Sequence, residues 1–146
     1  MRTRNLIEKR IVILGITLLI VSNVLTATFV RKNIKEEILE DQFILAMNAA
    51  NDYFESFEQY GSNLDKKLAI SEWGAATRVA YQFDPNSRIY KERGSLNLFY
   101  YELQKDNDAI PIGYTKGLCQ KLAENPYDMT AYAELTELIN LISHKN

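Results

Sequence analysis

One cysteine and one histidine in 146 residues exclude more chemistry than any motif in the chain suggests. A lone Cys119 cannot close an intramolecular disulfide, so packing must hold the fold together even in an oxidising compartment. Beside Leu118 and Leu122 it reads as a buried, inert thiol. A lone His144 leaves no basis for a zinc site or a catalytic triad, which need convergent ligands or a nucleophile with its base. Glycine is scarce too, and no phosphate-cradling loop is present. Gly113 and Gly117 share only a GxxxG spacing in a polar setting, where the pattern has no packing mechanism of its own. With three prolines and six glycines, a disordered stalk is not expected, and no Asn-x-Ser/Thr acceptor for N-glycosylation occurs. No stretch alternates apolar and polar residues with period two, and no internal repeat is visible. The class that remains is all-α.

What the chain does have is an apolar run without a charged side chain, Ile11 to Val30 (IVILGITLLIVSNVLTATFV). Twenty residues at a helical rise of about 1.5 Å cover about 30 Å, the hydrocarbon thickness of a bilayer, and a helix pairs its backbone amides internally where no water can. The run predicts a single transmembrane helix retained as a signal anchor. Arg2, Arg4, Lys9 and Arg10 precede it against one Glu8, whereas Arg31, Lys32 and Lys35 soon give way to Glu36, Glu37, Glu40 and Asp41. This bias predicts a cell-membrane protein with residues 1–10 as a short cytoplasmic tail and 31–146 extracytoplasmic. A cleaved signal peptide is the competing reading. Against it, the run exceeds the roughly 7–15 residues of a signal core, and Leu25-Thr26-Ala27 puts a bulky residue where cleavage prefers a small one. Within the run, Ser22, Asn23 and Thr26 form a small polar face suited to association with another membrane helix.

Residues 31–146 keep 13 of the 17 basic and 18 of the 19 acidic side chains, a net charge of −5, so binding of nucleic acid through a basic surface is not expected. Their length suits one small domain. From Arg31 to Tyr60 there is neither glycine nor proline. Leu39, Phe43, Ala46, Ala50, Tyr53, Phe57, Tyr60 and Leu64 fall in alternating steps of four and three, a heptad seam expected to pack against another helix. This predicts a long stalk helix over 31–66, with shorter helices over 71–146. Ser71-Glu72 reads as an N-cap and first turn ahead of Trp73, Ala76, Ala80 and Phe83. Asp84-Pro85-Asn86-Ser87 is a break. A third helix through Ile89 and Tyr90 is expected to be interrupted at Gly94-Ser95 and to resume with Leu96, Phe99, Tyr100 and Leu103. Lys105-Asp106-Asn107-Asp108 is read as a loop. Pro111 and Gly113 introduce an amphipathic helix around Leu118 and Leu122, which Asn125-Pro126 must end. The last helix starts near Asp128 or Thr130 and presents Tyr132, Leu135, Leu138, Ile139 and Ile142. Four to five helices in a small extracytoplasmic bundle result.

The acidic group Glu36, Glu37, Glu40 and Asp41 lies on an uninterrupted helix, which lacks the irregular backbone oxygens of a calcium loop, so no metal is expected. Neither a cofactor nor an enzymatic activity is expected, for want of acid–base groups. Nine tyrosines among sixteen aromatics are many for so small a domain. Tyr53, Tyr60, Tyr81, Tyr90, Tyr100 and Tyr132 are expected to line the bundle with their hydroxyls reaching water. Tyr100 and Tyr101 are neighbours and cannot both face the core, so Tyr101, with Tyr114 and Tyr127, is a candidate partner-facing aromatic. The order of stalk helix, Trp73-bearing helix and Tyr-rich helix over residues 11–105 resembles the N-terminal part of membrane-anchored spore-germination accessory proteins. No specific motif is shared, so no site residue carries over.

The function expected is a non-enzymatic interaction, scaffold or accessory module at the cell surface. Its expected partners are the lipid bilayer and another membrane or surface protein, or a second copy. The alternative is a small-ligand sensor with an aromatic-lined pocket. Ten residues hold no kinase or cyclase, so such a sensor would signal through a separate membrane protein.

Overall fold

The computed structural model describes the backbone of residues 2–105 and 110–143, and the side chains of 14–105 and 110–143. Its elements are five helices in order: α1 (Arg2–Tyr60), α2 (Asn63–Ala80), α3 (Arg88–Gln104), α4 (Ile112–Glu124) and α5 (Met129–Ser143). No strand occurs among the described residues, and the fold is all-α. The chain divides into two units, residues up to Glu37 and residues from Ile38 onward.

In the first unit, α1 is long and apolar enough to cross a membrane by length and composition. Its large apolar side chains, among them Leu14, Leu18, Leu19, Ile20, Leu25 and Phe29, are exposed along its whole circumference, which is the surface expected of a helix whose solvent is lipid. The Thr26 hydroxyl donates to the Ser22 carbonyl at 2.9 Å and Thr28 to that of Val24 at 2.8 Å. Each hydroxyl is satisfied on its own helix, which lowers the cost of carrying it in hydrocarbon.

The second unit is a helical bundle around one core. Along α1 the buried positions are Leu39, Phe43, Ala46, Met47, Ala50 and Phe54. Of the seam residues, Leu39, Phe43, Ala46 and Ala50 are buried and Tyr53 and Phe57 half-buried, while Tyr60 and Leu64 are exposed at 77% and 65%. A straight helix turns 3.6 residues per turn, so a strict 3.5-residue stripe drifts by about 20° each heptad and Phe54 replaces Tyr53 as the inward residue. The stalk helix ends at Tyr60, not at 66. Gly61 takes the left-handed conformation (φ 67°), and its N–H bonds the Phe57 carbonyl at 2.8 Å, a helix stop available to glycine at little cost.

The next helix begins at once. Ser62 is its N-cap, accepting from the Asp65 amide, while the Asp65 carboxylate accepts from the Ser56 hydroxyl of α1 at 2.7 Å. Ser71 therefore lies inside α2 and caps nothing. Ser87 caps α3 by accepting from the Tyr90 amide at 3.2 Å. That helix runs through Gly94-Ser95 without a break: Gly94 sits on the exposed face, where a Cβ would meet open space and glycine weakens a helix by about 1 kcal/mol but does not end it. Lys105 closes α3, and Asp106 to Asp108, like His144, fall outside the described residues.

α3 packs against both α2 and α5, and α4 against α5. Trp73, Phe43, Phe54, Phe99 and Tyr132 are fully buried together with Leu118, Leu122 and Leu135. The Tyr132 hydroxyl reaches the Pro126 carbonyl at 2.9 Å, and burial raises its pKa above the ordinary 10. Cys119 is fully buried, and burial pushes its thiol up, away from the reactive thiolate. Asp128, ahead of α5, accepts from the Thr130 hydroxyl at 2.7 Å and the Thr130 amide at 2.8 Å, bonds that hold its carboxyl below the ordinary 3.8. A depressed carboxyl stabilises the fold at pH values above its unfolded pKa and loses that contribution as the pH falls through its folded one. Asp128→Asn is therefore expected to flatten the acid limb of a stability profile below about pH 4; an unchanged limb contradicts this role.

Candidate functional site

The two helices α2 and α3 together carry a positive balance within an otherwise acidic part of the chain. Residues 63–105 hold seven basic and five acidic side chains, while the remainder of 31–146 has a net charge of −7. Helical spacing separates the signs further. On α3, Glu92 is paired with Arg88 at 2.7 Å and Glu102 with Lys105 at 2.6 Å, whereas Tyr90, Arg93, Asn97, Tyr101 and Gln104 share another face.

That face carries a chain of contacts with α2. At one end the Arg93 guanidinium lies 3.8 Å from the Tyr90 ring centroid and 5.5 Å from that of Tyr81, and its Nη1 donates to the Tyr90 carbonyl at 2.6 Å. Two turns on, the Tyr100 ring rests on Gly74 of α2. A Cβ at Gly74 would stand 2.6 Å from Tyr100 Cε2, so this glycine is the seat of the ring. Tyr101 follows at 6.0 Å between centroids, 53% exposed beside an exposed Leu98. The Tyr100 hydroxyl accepts from Gln104 Nε2 at 2.9 Å. Gln104 in turn lines a groove of about 300 Å³ with Asn63, Lys66, Lys67, Ile70 and Leu103. Beneath the face, Trp73 Nε1 donates to the Leu96 carbonyl at 3.1 Å, and its ring meets Phe99 edge-on at 4.9 Å, fixing α3 on α2.

Gly74→Ala is expected to displace the Tyr100 ring toward solvent. Alanine's better helix preference offsets the lost contact, so the unfolding free energy should change by no more than about 1 kcal/mol. Ring NMR shifts of Tyr100 read the displacement, and unchanged shifts contradict it.

The three aromatics singled out in the sequence lie on different elements and make no ring contact with one another among the described residues. Tyr101 belongs to the face just described. Tyr114, on α4, is part-exposed, and burial followed by the charges of Glu134 and Glu137 raises its pKa. Tyr127, in the α4–α5 connection, donates its hydroxyl to Glu40 of α1 at 2.9 Å. With Lys116 on Glu58 at 2.8 Å it ties the second half of the bundle to α1, a structural engagement. Of the tyrosines expected to line the bundle, Tyr132 is buried, Tyr53, Tyr90 and Tyr100 pack half-buried against the core, and Tyr60 and Tyr81 are exposed. Arg93 and Gly74 were not marked by the sequence, and Tyr81 was expected in the bundle lining and not beside Arg93. The i,i+3 spacing of Tyr90 and Arg93 was the available signal.

Ser22, Asn23 and Thr26 remain an exposed face of α1. Among the described residues no group of three His, Cys, Asp or Glu side chains is placed to hold a metal ion. The core aromatics are packed against one another, and the groove at Lys66 and Lys67 is lined by polar and aliphatic side chains without an aromatic. No protein-family model, no curated protein and no solved structure matches the chain, and the resemblance to germination accessory proteins gains no support from them.

Proposed function

We propose that the chain is a non-enzymatic, single-pass membrane-anchored module that holds its helical bundle outside the cytoplasm and docks a membrane or surface protein on the face shared by α2 and α3. The observation that carries this reading is the make-up of that face: exposed Tyr81, Leu98 and Tyr101 with Arg93 and the Lys66-Lys67 pair. Tyrosine and arginine dominate binding hot spots because they bring contact area together with hydrogen bonds at low entropic cost. The exposed apolar circumference of α1 from Leu14 to Val30 supports the anchor, and the basic flank before it supports the sidedness.

Photo-crosslinking in cells tests it. A benzoylphenylalanine at Tyr101 should give a discrete adduct that the same probe at exposed Glu137 on α5 does not. Equal labelling at both positions, or none at either, contradicts the docking face.

A further inference from the structure

Arg93 is held by aromatic rings and a backbone carbonyl. In an acidic domain its guanidinium forms no ion pair among the described residues, while Arg88, Lys105, Lys116 and Lys121 each hold a carboxylate. It is instead held over the Tyr90 ring at 3.8 Å, with the part-exposed Tyr81 ring 5.5 Å away, and one of its five N–H donors is committed to the Tyr90 carbonyl. Stacking of this kind fixes the plane of the fork before any ligand arrives, so less rotamer entropy is lost when the remaining donors are used.

We propose that Arg93, framed by Tyr81 and Tyr90, receives an Asp or Glu carboxylate from an acidic segment of the docked protein. This rests on the docking role proposed for the α2–α3 face and names the chemistry of its partner. Charge complementarity selects the occupant: the face presents Arg93 with Lys66 and Lys67, and the two carboxylates of α3, Glu92 and Glu102, are held by Arg88 and Lys105. A planar fork suits bidentate pairing with a carboxylate. Anionic lipid is favoured by dense clusters of four to eight Lys or Arg, and phosphorylated motifs by clusters of arginines, whereas this face has a single fork among tyrosines. The flanking Leu98 and Tyr101 offer the apolar contact area that a protein segment, unlike a headgroup, can fill.

The test uses the full chain in detergent micelles at low salt and a fluorescein-labelled twelve-residue peptide of alternating Glu and Tyr, read by fluorescence anisotropy. The peptide should bind, its Gln-for-Glu counterpart should bind about tenfold or more weakly, and Arg93→Lys should weaken the Glu peptide about tenfold while keeping the charge. Lys91→Ala, on another face of α3, should leave it unchanged. A circular dichroism melt matching the parent confirms that Arg93→Lys is folded, and Tyr81→Ala, which removes one wall of the clamp, gives an independent loss.

Absence of binding, or equal loss in Arg93→Lys and Lys91→Ala, overturns the proposal. So does an Arg93-dependent gain on phosphatidylglycerol vesicles over the peptide, which would assign a lipid, or self-association abolished by Arg93→Lys, which would assign a second copy. The adduct at position 101 separates the two layers: if it persists in Arg93→Lys cells at full yield, docking stands and the carboxylate falls, and if it never forms, the docking role itself falls.

Discussion

Trp73→Ala is expected to remove about 3–5 kcal/mol of stability, the range found when a buried large aromatic is truncated and its cavity only partly collapses. Trp73 is fully buried, meets Phe99 edge-on and donates to the Leu96 carbonyl, so one side chain supplies both the packing and the polar link between α2 and α3. Small domains have only about 5–15 kcal/mol in total. The midpoint of thermal unfolding should therefore fall by more than about 12 °C. Trp73→Phe keeps most of the ring and gives up the hydrogen bond, for which a loss of about 1–2 kcal/mol is expected. Melts of the full chain in mild detergent, followed by far-UV circular dichroism, compare the three. Equal stability of the alanine and phenylalanine variants would remove Trp73 from the centre of the hairpin.

The second large effect concerns the anchor. Leu19 and Ile20 stand near the middle of the apolar run with most of their surface exposed. Replacing each by arginine changes the insertion free energy by about 3–4 kcal/mol, so the double variant Leu19→Arg, Ile20→Arg faces a penalty of about 6–8 kcal/mol. It should leave the membrane pellet after alkaline carbonate extraction, whereas the parent chain stays. Ser71→Arg, on the exposed side of α2, adds a charge without this effect. Retention of the double variant in the pellet would mean that something other than lipid covers the run.

Much of this architecture is written locally. Pro111 opens α4 as its N-cap, where its missing N–H would have had no helical partner, Asn125-Pro126 ends it because proline cannot continue a helix, and Asp128 marks the approach to α5 with a side chain that reaches the Thr130 amide. The start of α2 was illegible for an equally local reason: Gly61 ends one helix and Ser62 caps the next, so the connection is too short to show as a loop. Lys66 then reads as the end of the stalk helix and Lys67 as lying between helices, while both belong to the first turns of α2 and line a groove. Gly94 misleads in the opposite sense, since an exposed glycine weakens α3 without breaking it.

The candidate site is less legible than the fold. Tyr90 and Arg93 meet by helical spacing alone, but Tyr81 arrives from the end of α2 across the Asp84-Pro85 turn. Gly74 becomes the seat of Tyr100 only once two helices pack. Such contacts are tertiary, and no window of one helix contains them. What a sequence does carry is the bias of 63–105 toward positive charge within an acidic domain, which marks the hairpin before its geometry is known.

Labelling of intact cells with a membrane-impermeant maleimide tests the anchored topology directly, because buried Cys119 leaves a low background. The account predicts that Tyr101→Cys is labelled from outside, that Leu19→Cys is not labelled at all, and that Arg4→Cys reacts only after the membrane is opened. Labelling of Leu19→Cys in intact membranes, or of Arg4→Cys from outside, would contradict it.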